Sequence, residues 1–169
     1  MPLTMYRLSI PAFTRGFSAL GGILDKAEAF ASDTGIPLAE LFEARLAPDM
    51  LPLAGQVQRA SDTSKNAIAR LTTLEAPRFP DDEQSFADLR GRIAKTVAFF
   101  ESVKPADLEG SESREVTLNF TKLKVSFSGE DYLLKFVLPN FYFHVTTAYD
   151  ILRHKGVPIG KPDYIGSLD

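Results

Sequence analysis

The sequence contains no cysteine among its 169 residues. Disulfides, thiolate nucleophiles, iron–sulfur clusters and cysteine-based zinc sites are therefore excluded. No apolar run approaches the roughly 18 residues that a transmembrane helix needs, and the N-terminus lacks the basic start and unbroken apolar core of a signal peptide. We therefore expect a protein of the reducing cytoplasm that has no membrane partner.

The sequence also lacks an excess of basic charge. It has 19 lysines and arginines and 22 aspartates and glutamates, which gives a net charge of −3 and a pI of about 5.4. Because nucleic acids attract basic surfaces, a nucleic-acid partner is not expected. Hydrophobic residues make up 44% and charged residues 24%, which is typical of a globular chain. The length predicts a single domain over residues 1–169.

The first long helix is marked by apolar residues at alternating spacings of three and four between Tyr6 and Ala27. It starts either near Ser9, with Pro11 in its first turn, or near Thr4, with a kink at Pro11. Gly21 and Gly22 interrupt this helix at a cost of about 1 kcal/mol each relative to alanine. They predict close packing of a neighbouring helix at that point.

Three further helical stretches are predicted before residue 105. They are a short helix over residues 37–46, a long one over residues 53–71, and another that begins at the acids of positions 81–83 and closes at Lys104. In the second of these helices Gln56 flanks the apolar stripe, whereas Asp62 falls on the opposite, wetter side. The acids at 81–83 are expected to be a helix cap or a solvated surface.

The pattern changes to a strand-like alternation of apolar and polar residues between positions 114 and 127, which predicts a β-hairpin over residues 116–127. Ser128 or a nearby acid is expected to cap the final helix. Pro139 predicts a kink or a helix start close to it, and Gly156 predicts the end of the helix. The tail from residue 157 is expected to be irregular. Together these elements predict a mainly all-α protein, an antiparallel four-helix bundle with a short β-hairpin before the last helix.

His144 lies on the apolar face of the final helix, with Asn140 one turn before it and Ala148 one turn after. Inward-facing histidines are hydrogen-bonded core residues, ligands of a metal or direct contacts of a bound small molecule. We expect the first arrangement, with a buried amide or a tyrosine as partner, and keep the other two as alternatives. The other histidine, His154, is expected to complement the helix dipole in the last turn.

Four blocks of the sequence carry a resemblance to a known family. They are MYRLSIPAFTRGF, ILDKA, RLAPDMLPL and LPNFYFHVTTAYDILR, at residues 5–17, 23–27, 45–53 and 138–153. The chain resembles an uncharacterised bacterial family of the DinB/YfiT-like metalloenzyme superfamily. The resemblance implies a DinB-like four-helix bundle, often dimeric. Relatives include thiol-dependent transferases and metal-dependent hydrolases, whereas this branch has no assigned reaction.

The resemblance also implies where a metal would bind. The superfamily's site uses one histidine of the second long helix and a His-x-x-x-His pair of the last. His144 matches the second histidine of that pair, and Asn140 stands at the first. The helix over residues 53–71 has no histidine, and Gln56 is its most inward polar side chain. Because neutral amides bind transition metals weakly, we expect no cofactor, with zinc or nickel at these three residues as the alternative.

Two classes of function follow from these observations. The first, which we favour, is a non-catalytic protein with a degenerate metal site that is dimeric or binds a small ligand. The second is a metal-dependent hydrolase or thiol-dependent transferase that uses a depleted site around His144. The 13 phenylalanines exceed what one bundle interior needs, so a homodimer is the expected partner arrangement.

Overall fold

The computed structural model of the protein describes residues 3–120 and 123–166. Its regular elements in chain order are α1 (Met5–Thr34), α2 (Leu38–Phe42), α3 (Leu53–Leu71), α4 (Phe86–Ser102), β1 (Glu115–Phe120), β2 (Leu123–Ser128), α5 (Gly129–Asp131), α6 (Leu138–His154) and α7 (Lys161–Ile165). A π-helical segment, Tyr132–Val137, joins α5 to α6, and two short 3-10 turns precede β1.

The four long helices form the predicted antiparallel bundle, in which α1 and α3 each pack against both α4 and α6. The centre of the bundle is aromatic. Rings of Phe13 and Phe17 from α1 pack against Phe100 of α4 and Phe141 of α6, with centroids 5.1–6.1 Å apart. All four side chains are fully buried. Within the described ranges, no helix combines the length and the apolar character needed to cross a membrane.

Helix α1 begins at the earlier of its two predicted starts. The Thr4 hydroxyl accepts the backbone N–H three residues later at 3.2 Å, which is an N-cap. The expectation of close packing at Gly21 and Gly22 is wrong, because a Cβ at either position would meet nothing within 4 Å. The close approach lies at Gly16, where a Cβ would sit 2.5 Å from the ring of Phe141. Thus the glycine at which α6 approaches α1 closely is Gly16, one to two turns before the expected pair.

The segment before α4 differs from the sequence expectation. This helix begins at Phe86 and is capped by the Ser85 hydroxyl, not by the acids at 81–83. Asp81 and Glu83 instead bind the guanidinium of Arg92, whose side chain is only 1% exposed. The expectation of a solvated surface is therefore wrong for Glu83, which is 8% exposed. The physical reason is that a buried guanidinium requires anionic partners, and these acids supply them.

The predicted hairpin is present. β1 and β2 pair antiparallel, with Val116 opposite Phe127 and Leu118 opposite Val125. Residues 121 and 122, where the second strand was expected to begin, lie outside the described residues. The Ser128 hydroxyl then accepts the backbone N–H three residues later at 3.2 Å, so the predicted cap is confirmed.

The last long helical run is irregular around Pro139. Proline has no N–H to donate, and the chain takes the wider π turn just before it, so α6 begins at Leu138 as the sequence predicted. Gly156, with a φ of 92°, follows the end of α6. The expectation of an irregular tail is wrong for Lys161–Ile165, which forms α7. Its Asp163 accepts the backbone N–H of Gly160 and binds Lys26 of α1, so this short helix depends on a tertiary contact.

Candidate functional site

Two polar rows face one another where α3 packs against the last helical run. The row on α3, which we call the α3 polar stripe, consists of Gln56, Arg59, Thr63, Asn66 and Arg70 at spacings of three and four residues. The row on the other side follows four-residue intervals through the π segment and α6, and consists of the polar residues Tyr132, Asn140 and His144 with the apolar Phe136 among them. Because such spacings place side chains on one helical face, the two helices present matching polar edges.

His144 and Gln56 form the first cross-link between these rows. The Nδ1 atom of His144 lies 2.8 Å from Oε1 of Gln56, which is 2% exposed. The amide nitrogen of Gln56 donates to the Leu51 carbonyl at 3.0 Å, so its oxygen faces the imidazole. His144 therefore donates from Nδ1 and keeps its lone pair on Nε2. The buried amide partner expected for this histidine is present.

The electrostatic surroundings keep His144 neutral. Burial, together with the positive charge of Arg59, lowers the pKa of His144 from 6.5 to about 4. The side chain is half-buried, so it stands at the edge of the core. A neutral imidazole with a fixed tautomer is the consequence at neutral pH.

Asn140 and Thr63 form the second cross-link, because Nδ2 of Asn140 donates to the Thr63 hydroxyl at 3.0 Å. The structure thus brings His144, Asn140 and Gln56 to one helix–helix interface. As metal ligands they fit poorly, since the set offers one imidazole and two neutral amides, and both polar atoms of Gln56 and the Nδ2 atom of Asn140 already bind protein groups. Among residues 3–120 and 123–166, no three histidine, cysteine, aspartate or glutamate side chains are grouped to hold a metal. The metal assignment stays a prediction.

A cleft of about 420 Å³ opens beside these cross-links, between α3, β1 and the π segment. We call it the α3 cleft. Its polar and aromatic lining includes Arg59, Asn66, Arg70, Asn119, Tyr132 and Phe136. The cleft therefore combines guanidinium and amide groups with an aromatic wall.

Arg70 is held in place at one end of the α3 cleft. Its Nη1 donates to the hydroxyl of Tyr132 at 3.0 Å, and Tyr132 is fully buried. Burial raises the pKa of Tyr132, although the nearby charge of Arg70 acts in the opposite direction. Within the described parts of the chain, no carboxylate lies within ion-pair distance of Arg70. Its positive charge is thus oriented but not neutralised by an ion pair.

Arg59, at the other end, is neutralised. It forms ion pairs with Asp62, at 3.1 Å, and with Asp81. Asp62 also binds Arg92 at 2.8 Å and is 22% exposed, so it lies on the wetter side of α3, as expected, but is engaged in an ion pair. The cause is again the buried Arg92, which draws carboxylates from α3 and from the loop before α4. The unmatched positive charge of the cleft therefore lies at Arg70.

Sequence reasoning identified Gln56, Asn140 and His144 but missed the rest of both rows. A signal was available, since Arg59, Thr63, Asn66 and Arg70 continue from Gln56 at helical spacing. That signal is weak, because a polar row opposite an apolar stripe is also typical of a solvated helix face. The row lines a cleft because β1 and the π segment lie beside α3 in the folded structure, which the sequence pattern does not show.

Comparisons with known proteins agree with this architecture. The model of the family DUF1993, a domain of unknown function, matches residues 5–165. A crystal structure of a DinB family member protein from Shewanella denitrificans is similar, with a TM-score of 0.91 and 38% sequence identity over 97% of this chain and 93% of that chain. Among curated proteins, none matches this chain.

Proposed function

This chain belongs to the family DUF1993, and from that premise we propose that it is a non-catalytic protein that binds a small ligand in the α3 cleft. The observation that carries the proposal is the α3 polar stripe, which faces a cleft of about 420 Å³ with an oriented arginine and an amide. Small-molecule sites typically measure ~300–1,000 Å³ and place a few polar groups among apolar ones. The α3 cleft has this typical size, and its lining is mainly polar, with Leu118, Tyr132 and Phe136 as the apolar and aromatic part.

The state of His144 supports a role without catalysis. An efficient general acid or base has a pKa near the working pH. The pKa of His144, at about 4, is far below neutrality, and its Nδ1 is committed to Gln56. The carboxylate that lines the α3 cleft, Asp62, is bound by Arg59, Lys65 and Arg92. These arrangements favour holding a ligand over transferring a proton to it.

Ligand binding is tested by a thermal-shift screen with a library of small molecules. A ligand at 100 times its dissociation constant should stabilise the native state by about 2.7 kcal/mol. Asn66→Phe, which fills the cleft from α3, should abolish the shift of every hit. The control is Glu101→Phe, at an exposed position of α4 outside the cleft. Hits whose shifts survive in Asn66→Phe, or a library without hits, would contradict the proposal.

The alternative is a metal-dependent hydrolase or a thiol-dependent transferase built around His144. The observation that favours it is the hydrogen bond from Nδ1 to Gln56, because a second hydrogen bond of this kind orients metal-binding histidines in other proteins. Added zinc or nickel should leave the melting temperature nearly unchanged if the non-catalytic proposal is correct. A distinct rise that His144→Ala abolishes and His154→Ala retains would overturn it, and elemental analysis of the purified protein would give the stoichiometry.

The hydrogen bond of His144 also predicts a stability effect. His144→Ala should cost about 1–3 kcal/mol, because it leaves the buried amide oxygen of Gln56 without its partner and opens a small cavity. The same histidine makes stability depend on pH, since its pKa falls from 6.5 to about 4 on folding. Its contribution is complete above pH 6.5 and is lost as the pH falls toward 4. Urea denaturation across that window should show the loss in the wild type and in His154→Gln but not in His144→Gln.

We further propose a homodimer. Tyr142 and Phe143 lie on the outer face of α6 and are 40% and 55% exposed, and large aromatic side chains are enriched at protein interfaces. Light scattering at high micromolar concentration should give twice the chain mass of 18.6 kDa. Phe143→Glu should shift the protein toward the monomer, and Leu38→Glu, an exposed apolar position on α2, should not. A monomer mass for the wild type would refute the dimer.

A further inference from the structure

The ligand class follows from the chemistry of the cleft. We infer that the α3 cleft binds the oxyanion group of a small organic acid, with Arg70 as its cationic contact and Asn66 and Asn119 as neighbouring donors. The inference rests on the ligand-binding function proposed above, and it specifies which chemical group of the ligand is recognised. Carboxylate and sulfonate groups share this chemistry.

The first argument is the geometry of Arg70. A guanidinium carries five N–H donors, and Arg70 uses one of them on the hydroxyl of the fully buried Tyr132. That bond restrains a side chain that is otherwise exposed. The remaining donors form the planar fork that binds oxyanions in a bidentate manner. No carboxylate of the described residues occupies this fork.

The second argument is the distribution of charge along the cleft. Arg59 and Arg70 are eleven residues apart on α3, which places them nearly on one line and about 16 Å apart along the helix axis. Arg59 is neutralised by Asp62 and Asp81, whereas Arg70 has no such partner among the described residues. A small anion is therefore attracted to the Arg70 end and not to the end near His144.

The third argument is the set of neighbours around Arg70. Asn66 lies one turn before it on the same face of α3, and Asn119 lines the cleft from β1. Neither carboxamide has a hydrogen-bond partner within residues 3–120 and 123–166, so both can donate to a ligand. Phe136 adds an apolar wall, half-buried, next to these polar groups. The combination suits an acid with a compact apolar or aromatic portion.

The test uses two fluorescent probes that share an anilinonaphthalene skeleton but differ in charge. 8-Anilinonaphthalene-1-sulfonate carries an oxyanion, and N-phenyl-1-naphthylamine lacks it. The sulfonate should bind the wild type more tightly than the uncharged probe. Arg70→Gln should weaken its binding about tenfold or more, since hydrogen bonds to charged groups are the stronger class, and should leave the uncharged probe unaffected. Arg153→Gln, which removes an exposed cation in the last turn of α6, is the matched control and should change neither affinity.

The outcomes separate the oxyanion inference from the function on which it rests. If Asn66→Phe abolishes the binding of both probes while Arg70→Gln alters neither, the cleft binds ligands but the oxyanion inference is overturned. If neither probe binds, or Asn66→Phe leaves both bound, the inference and the cleft function both fail. Tyr132→Phe gives an independent measurement, because it removes the hydrogen bond that orients Arg70 and keeps the charge. Tyr132→Phe should weaken the binding of the sulfonate probe and leave the binding of the uncharged probe unchanged. If the sulfonate probe binds Tyr132→Phe as tightly as the wild type, the role assigned to that hydrogen bond is overturned.

Discussion

Replacing Arg92 by methionine should be among the most destabilising single substitutions in this protein. Arg92 projects from α4 with a side chain that is 1% exposed, and it donates to Glu83 and Asp62, each at 2.8 Å. It also binds Asp81 at 3.0 Å and the Pro80 carbonyl at 3.2 Å. This one buried cation thus links α4 to α3 and to the loop before α4.

The magnitude follows from what the substitution leaves behind. Methionine fills a similar volume with an apolar side chain, so packing is largely retained while the charge is lost. Glu83, at 8% exposure, then remains as a buried carboxylate without its cation. Removing one partner of a buried ion pair typically costs about 3–5 kcal/mol, a large part of the ~5–15 kcal/mol by which a domain is stable.

Urea denaturation of the wild type and two variants measures this cost. The matched control is Arg90→Met, two residues earlier on the same helix, where the arginine also binds two carboxylates, Asp25 and Glu28. Those partners are 64% and 38% exposed, so the control should lose no more than about 1 kcal/mol. If Arg92→Met costs no more than Arg90→Met, burial does not control the strength of this network and the reasoning fails.

The same network predicts a dependence on pH. Burial raises the pKa of Glu83, but hydrogen bonds from Arg92 and Gln58 together lower it further, so that the pKa is below 4.5 in the folded protein. A carboxylate whose pKa falls on folding contributes stability above its unfolded pKa and loses that contribution as the pH drops through the folded value. The stability difference between the wild type and Arg92→Met should therefore shrink below pH 4.5. A difference that is constant down to pH 3 would contradict this linkage.

Glycine substitutions test the packing by thermal unfolding. Gly16→Ala should cost about 1–3 kcal/mol, because the new Cβ would lie 2.5 Å from the ring of Phe141 and the ring must move. Gly129→Ala should cost more, since its Cβ would lie 1.8 Å from the carbonyl oxygen of Ser111 and only a backbone shift relieves the clash. Gly21→Ala, the control in α1, meets nothing within 4 Å and should stabilise by up to about 1 kcal/mol. Either of the first two variants with wild-type stability would contradict the assigned contact.

The sequence by itself determined the elements whose signals are local. The bounds of α3, the strand alternation and the cap at Ser128 were predicted because hydrophobic periodicity and capping depend on residues only a few positions apart. The inward face of Gln56 followed for the same reason. The resemblance of four blocks to a known family indicated the bundle as a whole.

The tertiary structure decided which of these faces meet. Gln56 and His144 are 88 positions apart, and their hydrogen bond depends on the rotation of two helices about their axes and on their relative shift. Periodicity specifies a face of a helix, not the neighbour that covers it. For that reason the sequence predicted a helix cap or a solvated surface for the acids at 81–83, whereas two of them bind the buried Arg92. For the same reason the sequence did not show that β1 and the π segment lie beside the polar row on α3 and form a cleft with it.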